Sequence, residues 1–254
     1  TIALDELIRN WKHPLENVFP SAAKSAVETQ TIVYRGASKK TATVKYAKPR
    51  VVIPVFPGTN CEYDTARAFE KSGAVCETLV FRNKTRSDIS ESVQQMAQMI
   101  RSAQIIAFPG GFSAGDEPDG SGKFIVSVLR NPIITEAVTD NRDGLILGIC
   151  NGFQALIKTG LVPYGKISAL SETAPTLTFN AIGRHVAKVA YTKLVSDKSV
   201  WFSECELGEV HAVALSHGEG RFVAEKTELD QLIRNGQMIA QYCDIDGNIS
   251  GDPE

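Results

Sequence analysis

The sequence predicts an α/β fold, a doubly wound and mainly parallel sheet with a β-rich second half. Three observations predict it. From Arg50 onward, short apolar runs alternate with helix-like segments, and that alternation builds a parallel sheet covered by helices. The first run, VVIPVF at 51–56, is apolar without interruption, the mark of a strand buried on both faces. After Pro163 the texture changes to closely spaced strand-like segments with a single helix. The first half is flavodoxin-like in this respect.

The elements follow in order. In residues 1–48, Leu4, Leu7, Ile8 and Trp11 fit one short amphipathic helix. Pro14, Pro20 and a polar, Lys-rich stretch at 39–48 come next, so this part reads as a tail or linker ahead of a domain at 49–254. After the strand at 51–56, residues 61–72 are helical, with Gly73 as the stop. Residues 76–81 form a second strand and 89–103 a helix, with Ser87 or Asp88 as its cap. Residues 104–108 form a third strand that ends in PGGFSAGD; 123–130 and 133–140 are helical. Residues 144–149 are the fourth strand and 151–159 its helix, with Gly160 just past the end. In the second half the expected strands are 176–180, 185–194, 200–202, 209–215 and 237–243, with a helix at 226–235. No internal repeat or low-complexity segment is present. The sequence starts at Thr1 and stops at Glu254, soon after the hairpin-turn signal Asp246-Gly247-Asn248, and it reads as a fragment of a longer polypeptide.

Composition bounds the function. A chain of 254 residues holds one sizeable domain, or one domain and an extension. With a net charge of -2 there is no electrostatic case for nucleic-acid or membrane-surface partners. No apolar run reaches the ~18 residues of a membrane span, and no signal peptide is visible. The five cysteines are odd in number, scattered and without a C-x-x-C pair. This argues against a disulfide framework or a zinc site and for a reducing cytoplasm. The four histidines show no metal-ligand spacing, and no metal ligands are expected.

The chemistry concentrates at DGLILGICNGFQALI, 143–157. Gly148-Ile149-Cys150-Asn151-Gly152 has the spacing of a nucleophile elbow with sulfur in place of the serine oxygen. Cys150 ends a strand and precedes a helix, at the sheet edge where open α/β folds bind ligands. A helix N-terminus favours thiolate over thiol, the flanking glycines allow a sharp turn, and the Asn151 amide is placed to donate to an oxyanion. The plainer reading is a buried, inert cysteine. Cys61, in PGTNCEYD, is a rival nucleophile, but Glu62 and Asp64 beside it oppose a thiolate, so it reads as structural. PGGFSAGD (109–116) offers two adjacent glycines whose amides suit an oxyanion or a carboxylate; the alternative is a tight turn. It is not a phosphate loop, because Gly122-Lys123 is followed by Phe124. In SHGEG (216–220), His217 with Glu219 is the best base-and-acid pair on spacing alone. Residues two apart on a strand point the same way and need not touch. His185 and His211 read as satisfying local hydrogen bonds.

Together, PGTNCEYD, PGGFSAGDEPDGSGKF, GICNGFQALIKTGLVPYG, TLTFN and LSHGEGRF resemble the glutaminase part of phosphoribosylformylglycinamidine synthases, a class I (triad) glutamine amidotransferase domain. The resemblance runs from about Arg50 to the end, and residues 1–48, with HPLENVFP, resemble the tail of the preceding synthetase region in the fused form. It implies the class I glutamine amidotransferase fold. It also implies hydrolysis of L-glutamine to glutamate and ammonia through a cysteine thioester. The ammonia would serve the ATP-dependent conversion of formylglycinamide ribonucleotide to its amidine on the synthetase region of the same polypeptide. ATP and magnesium belong to that region, and no cofactor is expected in this domain. Residue by residue, Cys150 matches the nucleophile. Gly110, Gly111 and Phe112 match the oxyanion-side loop, whose amides join that of Asn151. Gln154 matches a position near the bound glutamine, and Ser216, His217 and Gly218 match the segment that holds its head group.

One departure stands out. The family takes its base and acid from a C-terminal His-Pro-Glu, and no such triplet occurs here. The triad roles are therefore not carried over to His217 and Glu219. The chain as it stands is expected to hydrolyse glutamine slowly or not at all while Cys150 remains alkylatable. Two other classes compete: a non-catalytic fragment that docks on a synthetase, and another elbow-cysteine hydrolase or stress protein on a similar sheet.

Overall fold

A computed structural model of the chain describes residues 2–20, 29–36, 44–116, 120–141 and 143–251. Near the N-terminus, helix α1 (Leu4–Lys12) forms where the apolar spacing places it. Asp5 and Glu6 lie in its first turn and Arg9 and Lys12 in its last, each sign matched to the helix dipole. None of its residues is buried.

The contacts divide the chain into two units, 41–177 with 223–228, and 1–40 with 178–222 and 229–254. In the first, β1 (Arg50–Val55), α2 (Glu62–Lys71), β2 (Val75–Val80), α3 (Arg86–Ser102), β3 (Ile105–Phe108), α4 (Lys123–Leu129), α5 (Pro132–Asp140), β4 (Leu145–Gly148), α6 (Asn151–Thr159) and the single-turn α7 (Leu161–Tyr164) follow the predicted alternation. The four strands make one parallel sheet in the order β2-β1-β3-β4. Its two faces are covered separately. On one, Phe56, Met96, Ile100, Ile106, Phe108, Ile125, Leu129, Ile134 and Leu156 form the larger cluster; on the other, Val51, Ile53 and Ala107 meet Ala66 and Phe69. A strand buried on both sides must be apolar at consecutive positions, which is why β1 carries no alternation.

The chain passes between the units at the short strands β5 (Thr176–Thr178) and β8 (Arg221–Val223). The second unit holds an antiparallel sheet in the order β7-β6-β9, from β6 (Val186–Leu194), β7 (Val210–His217) and β9 (Ala240–Cys243). Its β6–β7 register runs from Val186↔His217 to Lys193↔Val210. Helix α8 (Lys226–Arg234) precedes β9. Residues 29–36, within the stretch read as linker, pack on this unit: Ile32 is buried, its amide donates to Gln241 Oε1 at 2.9 Å, and the Tyr34 amide donates to Val195 O at 2.8 Å.

Several local expectations are corrected. The cap of α3 is Thr85, not Ser87 or Asp88; Asp88 is its capping-box partner, and each side chain receives the other's backbone amide. Val200–Phe202 is a 3₁₀ turn rather than a strand. Ser199 Oγ accepts from the Trp201 amide there, and a serine cap stabilises a helical start more than three apolar residues stabilise an unpaired strand. The last strand starts at Ala240, because the Gln237 amide is taken by Leu232 O at the end of α8. Strand β5 ends at Thr178, since Asn180 turns the chain back toward Gly218.

Candidate functional site

Cys150 sits between β4 and α6 with φ 52° and ψ -111°. This is a rare conformation for a residue with a side chain, and such strain collects at functional positions. Two glycines permit the turn. A Cβ on Gly152 would run into the Phe108 carbonyl, and one on Gly148 would come within 2.6 Å of Leu156 Cδ1. The elbow is then locked by backbone bonds: Ile149 N donates to Phe108 O, Gly152 N to Pro109 O and Gln154 N to Cys150 O. The thiol itself is exposed. The expected junction is therefore present, and Cys150 is not a buried, inert cysteine.

The glycine loop lies against it. A Cβ on Gly110 would fall 3.3 Å from Cys150 Cβ and 3.5 Å from Cys61 Sγ. Gly111 has φ 132° and faces Gly58 O and Thr59 Cα so closely that no side chain fits. The amides of Gly111 and Asn151 find no acceptor among the described residues. The Phe112 amide is different: it donates to Gly58 O at 2.9 Å, so it is engaged in holding the loop on the β1–α2 turn while its side chain stays exposed.

Asn151 ties these parts together, a role that its spacing did not reveal. It is buried; its Oδ1 accepts from Ser113 N at 3.2 Å, and its Nδ2 donates to Asp116 Oδ1 at 2.9 Å and to Gln154 Oε1 at 3.2 Å. Asp116 Oδ1 also accepts from Gly122 N at the start of α4. The far part of the loop is therefore tied to the elbow by the Asn151 side chain, in addition to the Gly152 N to Pro109 O bond at its start, with Ala114 and Asp116 both at positive φ. Gln154 is buried on α6, behind Asn151.

Cys61, expected to be structural, lies beside Cys150 across Gly110. Its Sγ donates to Asn60 Oδ1 at 3.1 Å. Burial pushes the Cys61 thiol up, and Cys150, Asp64 and Glu62 push in the same direction. The acids act as the sequence suggested, and Cys61 is held as a thiol.

Ser216 and His217 end β7 in the other unit, and Gly218 follows directly. There Asn180, from TLTFN, is the hub. Its Oδ1 pairs with His217 Nδ1 at 2.9 Å, and its Nδ2 donates to His217 O and Arg184 O. Gly220 must be glycine, because a Cβ would enter the His217 ring. Asn180, rather than Glu219, is thus the residue that orients His217 Nδ1. His185 Nε2 pairs with Ser216 Oγ at 3.0 Å, as its local reading implied. His211 departs from that reading: its Nε2 is buried without a hydrogen-bond partner among the described residues.

Comparison with known proteins follows the same lines. Residues 48–253 match the CobB/CobQ-like glutamine amidotransferase domain family. The chain is 34% identical over 209 residues to the phosphoribosylformylglycinamidine synthase subunit PurQ of Methanococcus maripaludis, covering 79% of this chain and 69% of that one. It is 33% identical over 207 residues to the PurQ subunit of Treponema denticola, covering 77% and 72%. Among solved structures it is similar to PurLQS from Thermotoga maritima, with TM-score 0.57 and 25% identity over 81% of this chain and 78% of that one.

Proposed function

The chain belongs to the CobB/CobQ-like glutamine amidotransferase family, and from that premise we infer that it is the glutaminase of a phosphoribosylformylglycinamidine synthase. It supplies ammonia from glutamine for formylglycinamidine ribonucleotide synthesis in the purine pathway. The observation that carries the reading is Cys150, exposed and at positive φ on a strand-to-helix turn, facing a glycine loop whose Gly111 amide finds no acceptor among the described residues.

The geometry suggests the following chemistry. Cys150 Sγ attacks the side-chain amide carbon of glutamine. The carbonyl electron pair moves onto oxygen, and the amides of Gly111 and Asn151 are the donors placed for that charge. Collapse of the intermediate expels ammonia and leaves a γ-glutamyl thioester, which water hydrolyses to glutamate and free thiol. Gly110 supplies the space beside the sulfur, while Phe112 and Gln154 hold the loop and the elbow in register. From the family resemblance alone, the segment Ser216, His217 and Gly218 is proposed for the glutamine head group. The proton carrier is not assigned to any residue of the 254, which lack a His-Pro-Glu.

The synthetase is proposed to lie on the same polypeptide, because HPLENVFP and its surroundings resemble the end of that region. ATP and magnesium serve the synthetase step, and neither nucleic acid nor membrane is a partner. No described helix is long and apolar enough to cross a membrane. All five cysteines are free, as a reducing compartment keeps them, and a cytoplasmic site of action is proposed on that ground.

The test is intact mass after incubation with 6-diazo-5-oxo-norleucine, a glutamine analogue whose diazo group leaves as nitrogen when a thiol captures its carbon. A single adduct that vanishes in Cys150→Ala supports the reading. An adduct that persists in Cys150→Ala, or none on a protein whose Cys150 still takes iodoacetamide, would overturn it.

A further inference from the structure

Sequence spacing offered no metal ligands, yet the fold brings three together. Ligand atoms of Cys205, Glu209 and His211 lie within 4.8 Å of one another. A tight turn builds the cluster. Cys205 N donates to Phe202 O, Glu209 N to Glu206 O, and Gly208 turns the chain at φ 94°. Leu194 N to Glu209 O and Gly208 N to Leu194 O seat this turn on the end of β6. His211 follows on β7, opposite Thr192. Positions two apart in extended chain share a face, so Glu209 and His211 project together toward Cys205.

Two details go beyond proximity. The Glu206 amide donates to Glu209 Oε2 at 2.8 Å, a support that orients a carboxylate ligand and leaves its other oxygen to the cluster. His211 Nε2 is buried with no hydrogen-bond partner among the described residues, although buried polar atoms are rarely left so.

We propose that Cys205, Glu209 and His211 form a binding site for a divalent d¹⁰ metal ion, zinc by chemical class. Thiolate, imidazole and carboxylate together are a zinc-type donor set. Ligand atoms at about 2.0–2.3 Å from one tetrahedral ion stand roughly 3.3–3.8 Å apart. Small side-chain rotations bring the three atoms to that spacing from their present positions. Three protein ligands leave the fourth position to water or an added ligand. The site lies wholly within the unit that carries β6, β7 and β9.

The test is zinc competition with a chromophoric chelator on the full chain, with cobalt(II) absorption as the second readout. One equivalent of zinc is expected, together with a thiolate-to-cobalt charge-transfer band. Cys205→Ser and Glu209→Gln, at accessible positions, should each weaken zinc binding about tenfold or more, and Cys205→Ser should abolish the band. Cys150→Ala should change neither. Binding unchanged in Cys205→Ser and Glu209→Gln, loss confined to Cys150→Ala, or no uptake at all would overturn the proposal. His211→Ala is read only where its thermal midpoint shows a folded protein.

Discussion

At the elbow, single atoms decide what is possible. Cys150 keeps its positive φ because the residues around it leave the chain no alternative path. Gly152 is the clearest case, since its missing Cβ is the space occupied by the Phe108 carbonyl. Gly152→Ala must push α6 away from β3, and overpacking of this kind costs about 1–3 kcal/mol. Urea unfolding should show that loss, and the adduct with 6-diazo-5-oxo-norleucine should fall with it; an unchanged midpoint would mean the turn does not need the glycine. Cys61 was separable from Cys150 on sequence only by its acidic neighbours. The fold adds that it lies across Gly110 from Cys150, with burial and then Cys150 itself pushing its thiol pKa up.

At the scale of elements, local signals set the boundaries where their chemistry is unambiguous. Helix α3 begins where Thr85 and Asp88 exchange backbone and side-chain bonds. Ser87 and Asp88 are capping types as well as Thr85, and only the backbone path selects among them. Thr85→Ala removes the cap and strands one half of the box, at a cost of about 1 kcal/mol. Thermal or chemical unfolding should show that drop with no change in the Cys150 adduct. A cap at Ser87 would instead make Thr85→Ala silent. The Val200–Phe202 turn shows the reverse problem: three apolar residues suggest a strand, but Ser199 starts a helical turn and no neighbouring strand pairs with them.

At the scale of the whole molecule, each unit is assembled from pieces far apart in the chain. Ile32 and Gln241, hydrogen-bonded at 2.9 Å, are separated by 209 positions. The same packing puts the Tyr34 ring against Gly236, which sits at φ 68° with no room for a side chain. Gly236→Ala should therefore displace Tyr34 and free its amide from Val195 O. Hydrogen exchange at Tyr34 should speed up at least about tenfold, equivalent to ~1.4 kcal/mol of local opening. Exchange at the wild-type rate would mean that the notch does not anchor this segment.

The sequence by itself determined the class of fold, the four parallel strands, the elbow at Cys150, the glycine loop beside it and the family. These rest on periodicity, turn residues and short motifs, which act over a few neighbouring residues. Only the tertiary structure decided that Asn151 suspends the loop through Ser113 and Asp116, and that Phe112 spends its amide on Gly58. It also decided that Asn180 rather than Glu219 holds His217 Nδ1, and that Cys205, Glu209 and His211 converge. Each of these depends on which side chains strand register and loop path bring within about 3–5 Å. No local pattern encodes the first three of these, because their partners lie 35 or more residues apart and meet only after the sheets have formed; Cys205, Glu209 and His211 are close in sequence but converge only through the turn at Gly208.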